Sequence, residues 1–106
     1  MIKRNISYHI SEDRLDRAVF IMETVGLGEI IKEVRCVDER SRVSWQCLTD
    51  TGVILVLNEQ KTIAVTLYIA TQPKVSAMYK GNTPSWVIKM IRKNKQYAEM
   101  QNKVRA

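Results

Sequence analysis

His9 is the only imidazole in the chain, and Arg14 and Arg17 follow it, three residues apart from each other. Histidine is the one side chain whose ordinary pKa lies near neutrality. Two arginines at i and i+3 on a helix share a face and can grip one phosphate. A histidine beside such a clamp can serve as general acid or base in breaking an RNA strand. The 2′-hydroxyl is then the nucleophile, and no metal is needed. Thr66 and Tyr68 stand two apart, on one face of an expected strand. Their hydroxyls can orient a phosphate or a base, and the tyrosine ring can stack on a nucleobase. His9, Arg14, Arg17, Thr66 and Tyr68 are therefore the catalytic candidates. A plainer alternative stands beside them: Arg14 and Arg17 pair at the surface with Glu12, Asp13 or Asp16, and Thr66 and Tyr68 are only good strand formers.

The charge pattern supplies a second set. The chain has 106 residues and a net charge of +6. Basic and acidic side chains balance over residues 1–79, so the whole excess lies in residues 80–106. That segment holds seven basic side chains, and Glu99 is its one acidic group. A basic segment of this kind is an electrostatic footprint for phosphates or for an acidic protein. Lys89, Arg92, Lys93 and Lys95 are the nucleic-acid-binding candidates. Trp86, one turn before Lys89, is the candidate anchor for a protein partner. The same residues would also suit a plain solvated helix face, with Trp86 capping the edge of a sheet.

Other chemistry finds little support in the sequence. There is no glycine-rich phosphate loop, no His-Glu-x-x-His and no Cys-x-x-Cys. One histidine and two cysteines are few ligands for a zinc site. No metal or cofactor is implied. Cys36 and Cys47 are expected on the apolar face of two paired strands, Cys36 opposite Val43 or Ser44 and Cys47 opposite Lys32. They are then not partners for a disulfide. No apolar run reaches the ~18 residues of a membrane span, and the start Met-Ile-Lys-Arg-Asn lacks an apolar signal core, so a cytoplasmic protein with no membrane partner is expected.

The elements that must position these residues read as one α+β domain over residues 1–106. Residues 5–9 alternate weakly and suit a short edge strand. Ser11 is an N-cap residue, followed by Glu12 and Asp13 in a first helical turn. Leu15, Ala18, Val19, Met22 and Val25 trace an apolar helix face that stops at Gly26 and Gly28. Alternating runs at 30–36, 43–47 and 62–69, and a run at 53–57 that is apolar on both faces and suits a central strand, are separated by polar turns. They predict a four-stranded antiparallel meander. Its apolar face would meet the helices, and its other face would carry Glu33, Arg35, Ser44, Gln46, Thr66 and Tyr68. Trp45 would sit in the core with Val43. Residues 74–80 suit a short helix ending at Gly81. Thr83-Pro84 then starts a basic C-terminal helix, Thr83 as N-cap, with Val87, Met90, Ile91, Tyr97, Ala98 and Val104 as its stripe. The last six residues are expected to fray.

In Ser7-Tyr8-His9, in Arg14 and Arg17, and in Thr66-Leu67-Tyr68, the chain resembles small phage- and plasmid-borne proteins related to RelE-like and colicin-type ribonuclease toxins. There too a leading helix precedes an antiparallel sheet. This chain differs in having Ile10 after the histidine and in its basic C-terminal helix. The resemblance covers residues 7–70 and implies a toxin-like, RNA-cleaving domain or an inactive relative of one. The expectation is thus an RNA-binding protein of a mobile element, with metal-independent cleavage as its chemistry. The alternative is a non-catalytic interaction module, docking an acidic protein or a second copy through Trp86 and an apolar seam of Tyr97, Met100 and Val104.

Overall fold

The computed structural model describes residues 6–104. Its elements in chain order are β1 (Ser7–Tyr8), α1 (Glu12–Thr24), β2 (Ile30–Val37), β3 (Val43–Thr49), β4 (Val53–Asn58), β5 (Ile63–Ile69), α2 (Gln72–Met78), α3 (Ser85–Lys93) and α4 (Lys95–Gln101). Ser11 is the N-cap of α1, as its type and the acidic first turn imply.

The four-stranded meander is present as β2 to β5, but the sheet has five strands in the order β1-β5-β4-β3-β2. The fifth strand corrects both the expected count and the purely antiparallel pattern. β1 runs parallel to β5, pairing Ser7 with Ile63 and Tyr8 with Ala64. Two hairpins of the meander are closed by side chains that mimic backbone acceptors. The Asp38 carboxylate accepts from the Arg40 and Arg42 amides at 2.9 Å. The Asn58 carbonyl accepts from the Thr62 and Ile63 amides at 2.8 and 2.9 Å.

Both faces of the sheet are covered, so the expected polar face is not open along its length. One face packs Cys47, Leu55, Leu57, Leu67 and Ile69 against Ala18 and Ile21 of α1 and Ala98 of α4. The other packs Leu48, Ile54 and Tyr68 against Val75 and Met78 of α2 and Val87 and Ile91 of α3. This explains why Val53–Leu57 is apolar throughout: β4 is central and meets helices on both sides.

The register also separates residues that alternation alone had grouped. Cys36 pairs with Ser44 and Cys47 with Glu33, in unbroken register from the turn to Lys32. Cys36 therefore shares a face with Ser44 and Gln46, and Cys47 shares the opposite one with Glu33 and Trp45. The two cysteines lie on different faces, not together, and form no disulfide with each other. Trp45 is half-buried; its indole N–H donates to the Glu59 carbonyl at 3.1 Å, and Lys61 lies over its ring. On α1, Ala18 and Ile21 face the core, whereas Leu15, Val19 and Met22 point to solvent.

The C-terminal helix is two helices. Pro84, not Thr83, is the N-cap of α3, and the chain breaks at Asn94 before α4 begins. The Asn94 side chain is buried and donates to the Thr51 carbonyl in the β3–β4 turn at 2.8 Å. Gly52 makes the docking possible: its φ is +89°, and a Cβ there would come within 2.5 Å of the Asn94 amide nitrogen. The break lets the chain pass from one face of the sheet to the other, since α3 belongs to the second core and Ala98 of α4 to the first.

Candidate functional site

The outer edge of β5 gathers most of the candidate residues. At its start β1 covers it: the Ser7 amide donates to Thr62 at 2.8 Å and the His9 amide to Ala64 at 3.0 Å. At its end α4 covers it. The buried Gln101 side chain accepts from the Ile69 amide at 2.7 Å and donates to the Ile69 carbonyl at 3.0 Å. A side-chain amide thus replaces a missing strand neighbour. Between the two lies Thr66, and Arg17 of α1 reaches it: a terminal guanidinium nitrogen donates to the Thr66 hydroxyl at 2.9 Å.

Arg17 is held in an unusual state for an arginine. Its Nε is buried and has no hydrogen-bond partner among the described residues. Desolvation pulls its pKa below the ordinary value, and the neighbouring Arg14 adds to this; Asp13 and Tyr68 oppose it. An arginine remains a cation despite such a shift. Neither Arg14 nor Arg17 forms an ion pair among the described residues, so the pairing with Glu12, Asp13 or Asp16 considered above is not made. Asp13 acts only through its field. Its own pKa is lowered mainly by the Ser11 hydroxyl, with Arg14 and Arg17 as lesser contributors.

Tyr68 lies two residues beyond Thr66 on the same face and is half-buried against the α2–α3 side. Burial first, and then the proximity of Cys36, raises the pKa of its hydroxyl, which Arg17 partly offsets. It therefore stays protonated through neutral pH. It can donate to an anion but cannot act as a base. His9 is exposed in the link between β1 and α1, and its backbone bond sets it beside Ala64, two residues from Thr66. The structure thus joins Arg17 to Thr66 directly, with Arg14 and Tyr68 in the surrounding field. It ties His9 to the same strand edge through the backbone alone.

The second candidate set keeps its exposure. Lys89, Arg92 and Lys93 on α3 and Lys95 at the start of α4 are all exposed. None of them pairs with an acidic group among the described residues. Trp86 is 53% exposed in the first turn of α3, so it does not cap the sheet. Tyr97 packs edge-on against Phe20, with ring centroids 6.3 Å apart. Its share in an apolar seam is therefore reduced, although Met100 beside it remains exposed.

Among the described residues, no group of three or more His, Cys, Asp or Glu side chains is placed to hold a metal ion. None of the described helices is long and apolar enough to cross a membrane. Asn94 and Gln101 were not among the sequence candidates. Their signal was present: Val87, Ile91, Asn94, Ala98 and Gln101 recur at helical spacing, and two polar residues on an apolar stripe call for specific partners. No family model, no curated protein and no solved structure matches the chain.

Proposed function

We propose that the protein binds single-stranded RNA through the basic surface of α3 and α4 and the Arg17–Thr66–Tyr68 edge of β5. The observation that carries this reading is the unpaired state of the cations. Four exposed basic side chains on α3 and α4 have no acidic partner among the described residues. Unpaired cations on a rigid surface attract phosphates and release counterions on binding. Arg17 adds a partly desolvated guanidinium at the strand edge. Such a group binds a phosphate more strongly than one bathed in water.

Cleavage would follow on the same edge. Arg17 and Arg14 would hold the phosphate, Tyr68 would donate to a non-bridging oxygen, and His9 would move the proton between the 2′-hydroxyl and the leaving oxygen. No cofactor enters this scheme. The test is anisotropy of a labelled mixed pool of short RNAs at two salt concentrations, with the same samples run on a denaturing gel. Binding should weaken steeply as salt rises, and any cleavage should disappear with His9→Ala. Absence of binding at low salt contradicts the reading. Binding without cleavage removes the catalytic step and leaves an RNA-binding domain.

The exposure of Trp86 favours one other reading, an interaction module that docks an acidic protein or a second copy. Trp86→Ala should then abolish the association and leave RNA affinity unchanged. Dimerisation is checked by sedimentation of the wild-type chain.

A further inference from the structure

A groove of about 640 Å3 opens where α2, α3 and α4 meet beyond the end of β5. Sites for single small ligands or ligand fragments run from ~300 to ~1,000 Å3. The floor is apolar, formed by Ala70, Ile91 and Ala98. Arg92 and Lys95 stand on its rim on either side of the Asn94 break, and Glu99 is the one acidic residue lining it. Gln72 and Asn102 add exposed side-chain amides that make no hydrogen bond among the described residues. The groove therefore offers a dry surface for a flat ring, amides for a ring's polar edge, and two cations for an adjacent anion.

We propose that this groove seats one nucleotide of the bound RNA strand, its base on the apolar floor and its phosphate between Arg92 and Lys95. The inference rests on the RNA reading above and assigns that reading a base-binding site. Charge selects the occupant: two cations against one carboxylate fit a phosphorylated ligand and disfavour an acceptor-poor, cationic one. Topology supports a strand that reaches both regions. Ala70 lies four residues beyond Thr66, about 13 Å along β5 at ~3.3 Å per residue, so one short oligonucleotide can touch the Arg17 edge and the groove together.

The experiment is an abasic scan. A short labelled RNA is prepared with each base removed in turn, and its affinity is measured for the wild-type chain, for Arg92→Glu with Lys95→Glu, and for Lys89→Glu with Lys93→Glu. The two double variants change the net charge equally, and all four positions are exposed, so equal thermal melts confirm folding. One position should cost about tenfold in affinity with the wild-type chain, as loss of a seated base does. That penalty should vanish in Arg92→Glu/Lys95→Glu and persist in Lys89→Glu/Lys93→Glu. A flat scan on a protein that still binds RNA overturns the groove and leaves the RNA reading standing. A penalty that persists in Arg92→Glu/Lys95→Glu also overturns it. No RNA binding at all by the wild-type chain overturns both.

Discussion

Two points on the outer edge of β5, beyond the reach of β1, are treated in opposite ways. At Ile69, both backbone groups meet the amide of Gln101, buried and fully matched. At Thr66, an arginine is drawn in from α1, gives one hydrogen bond and leaves a buried nitrogen without a partner. A matched buried amide contributes to stability, because the backbone groups it satisfies would otherwise be desolvated and unpaired. A half-matched cation does not. Its burial costs free energy that the single bond to Thr66 only partly offsets. The contact at Ile69 therefore serves the fold, and the one at Thr66 is where the proposed RNA reading places a phosphate.

The largest effect should come from the matched end. Gln101→Leu strands the amide and carbonyl of Ile69 in a buried site, with an expected loss of about 3 kcal/mol from two unsatisfied groups. For a domain of this size that lowers the melting temperature by roughly 10–20 °C. A fall of only a few degrees would show that water replaces the amide and that the edge is not closed there.

Next in size is the corner that brings α4 to the edge. Gly52→Ala must adopt a left-handed backbone at φ +89° and displace the Asn94 side chain. A loss of about 2 kcal/mol is expected by denaturant titration. Combined with Asn94→Ala, the loss should fall short of the sum of the two, because both break one contact. Full additivity would separate the break from the turn it docks on.

Arg17→Met sharpens the contrast in the other direction. It keeps the stem that packs across the strand edge and removes the unmatched cation. Its stability should stay within about 1 kcal/mol of wild type. RNA affinity should fall instead.

The smallest effect belongs to the far hairpin. The Arg42 and Arg40 amides and the Arg42 guanidinium, the Arg42 amide foremost, lower the pKa of Asp38. A carboxylate depressed in the folded state stabilises above its unfolded value of about 4 and loses that contribution as pH falls through the folded value. Asp38→Asn should therefore flatten slightly the decline of the melting temperature in acid. It should have no effect on RNA binding.

How much of this was legible in the sequence follows from the range of the forces involved. The meander was legible because alternation and turn residues act within a few positions. The break at Asn94 was not, because its cause is a carbonyl in Thr51, distant in sequence. The parallel strand β1 was missed as a partner of β5 for the same reason: two residues carry almost no periodic signal. Cys36 shares no face with Cys47 because the β2–β3 turn pairs Cys36 with Ser44 and Cys47 with Glu33, one residue from the register expected for Cys47, and one residue of slip reverses every side chain. Among the site residues, the i, i+3 spacing of Arg14 and Arg17 pointed to a shared helix side. That Arg17 would lose a hydrogen-bond partner by crossing the strand edge was a property of packing alone.

The most direct test of the central contrast measures RNA affinity against salt for the wild-type chain and Arg17→Met, beside thermal melts of both. The account predicts a steep salt dependence for the wild type. In Arg17→Met the logarithmic slope should fall by about 0.7, one phosphate contact on a single strand, with the melting temperature nearly unchanged. An unaltered slope with a lowered melting temperature would contradict it, and would make Arg17 a structural residue like Gln101.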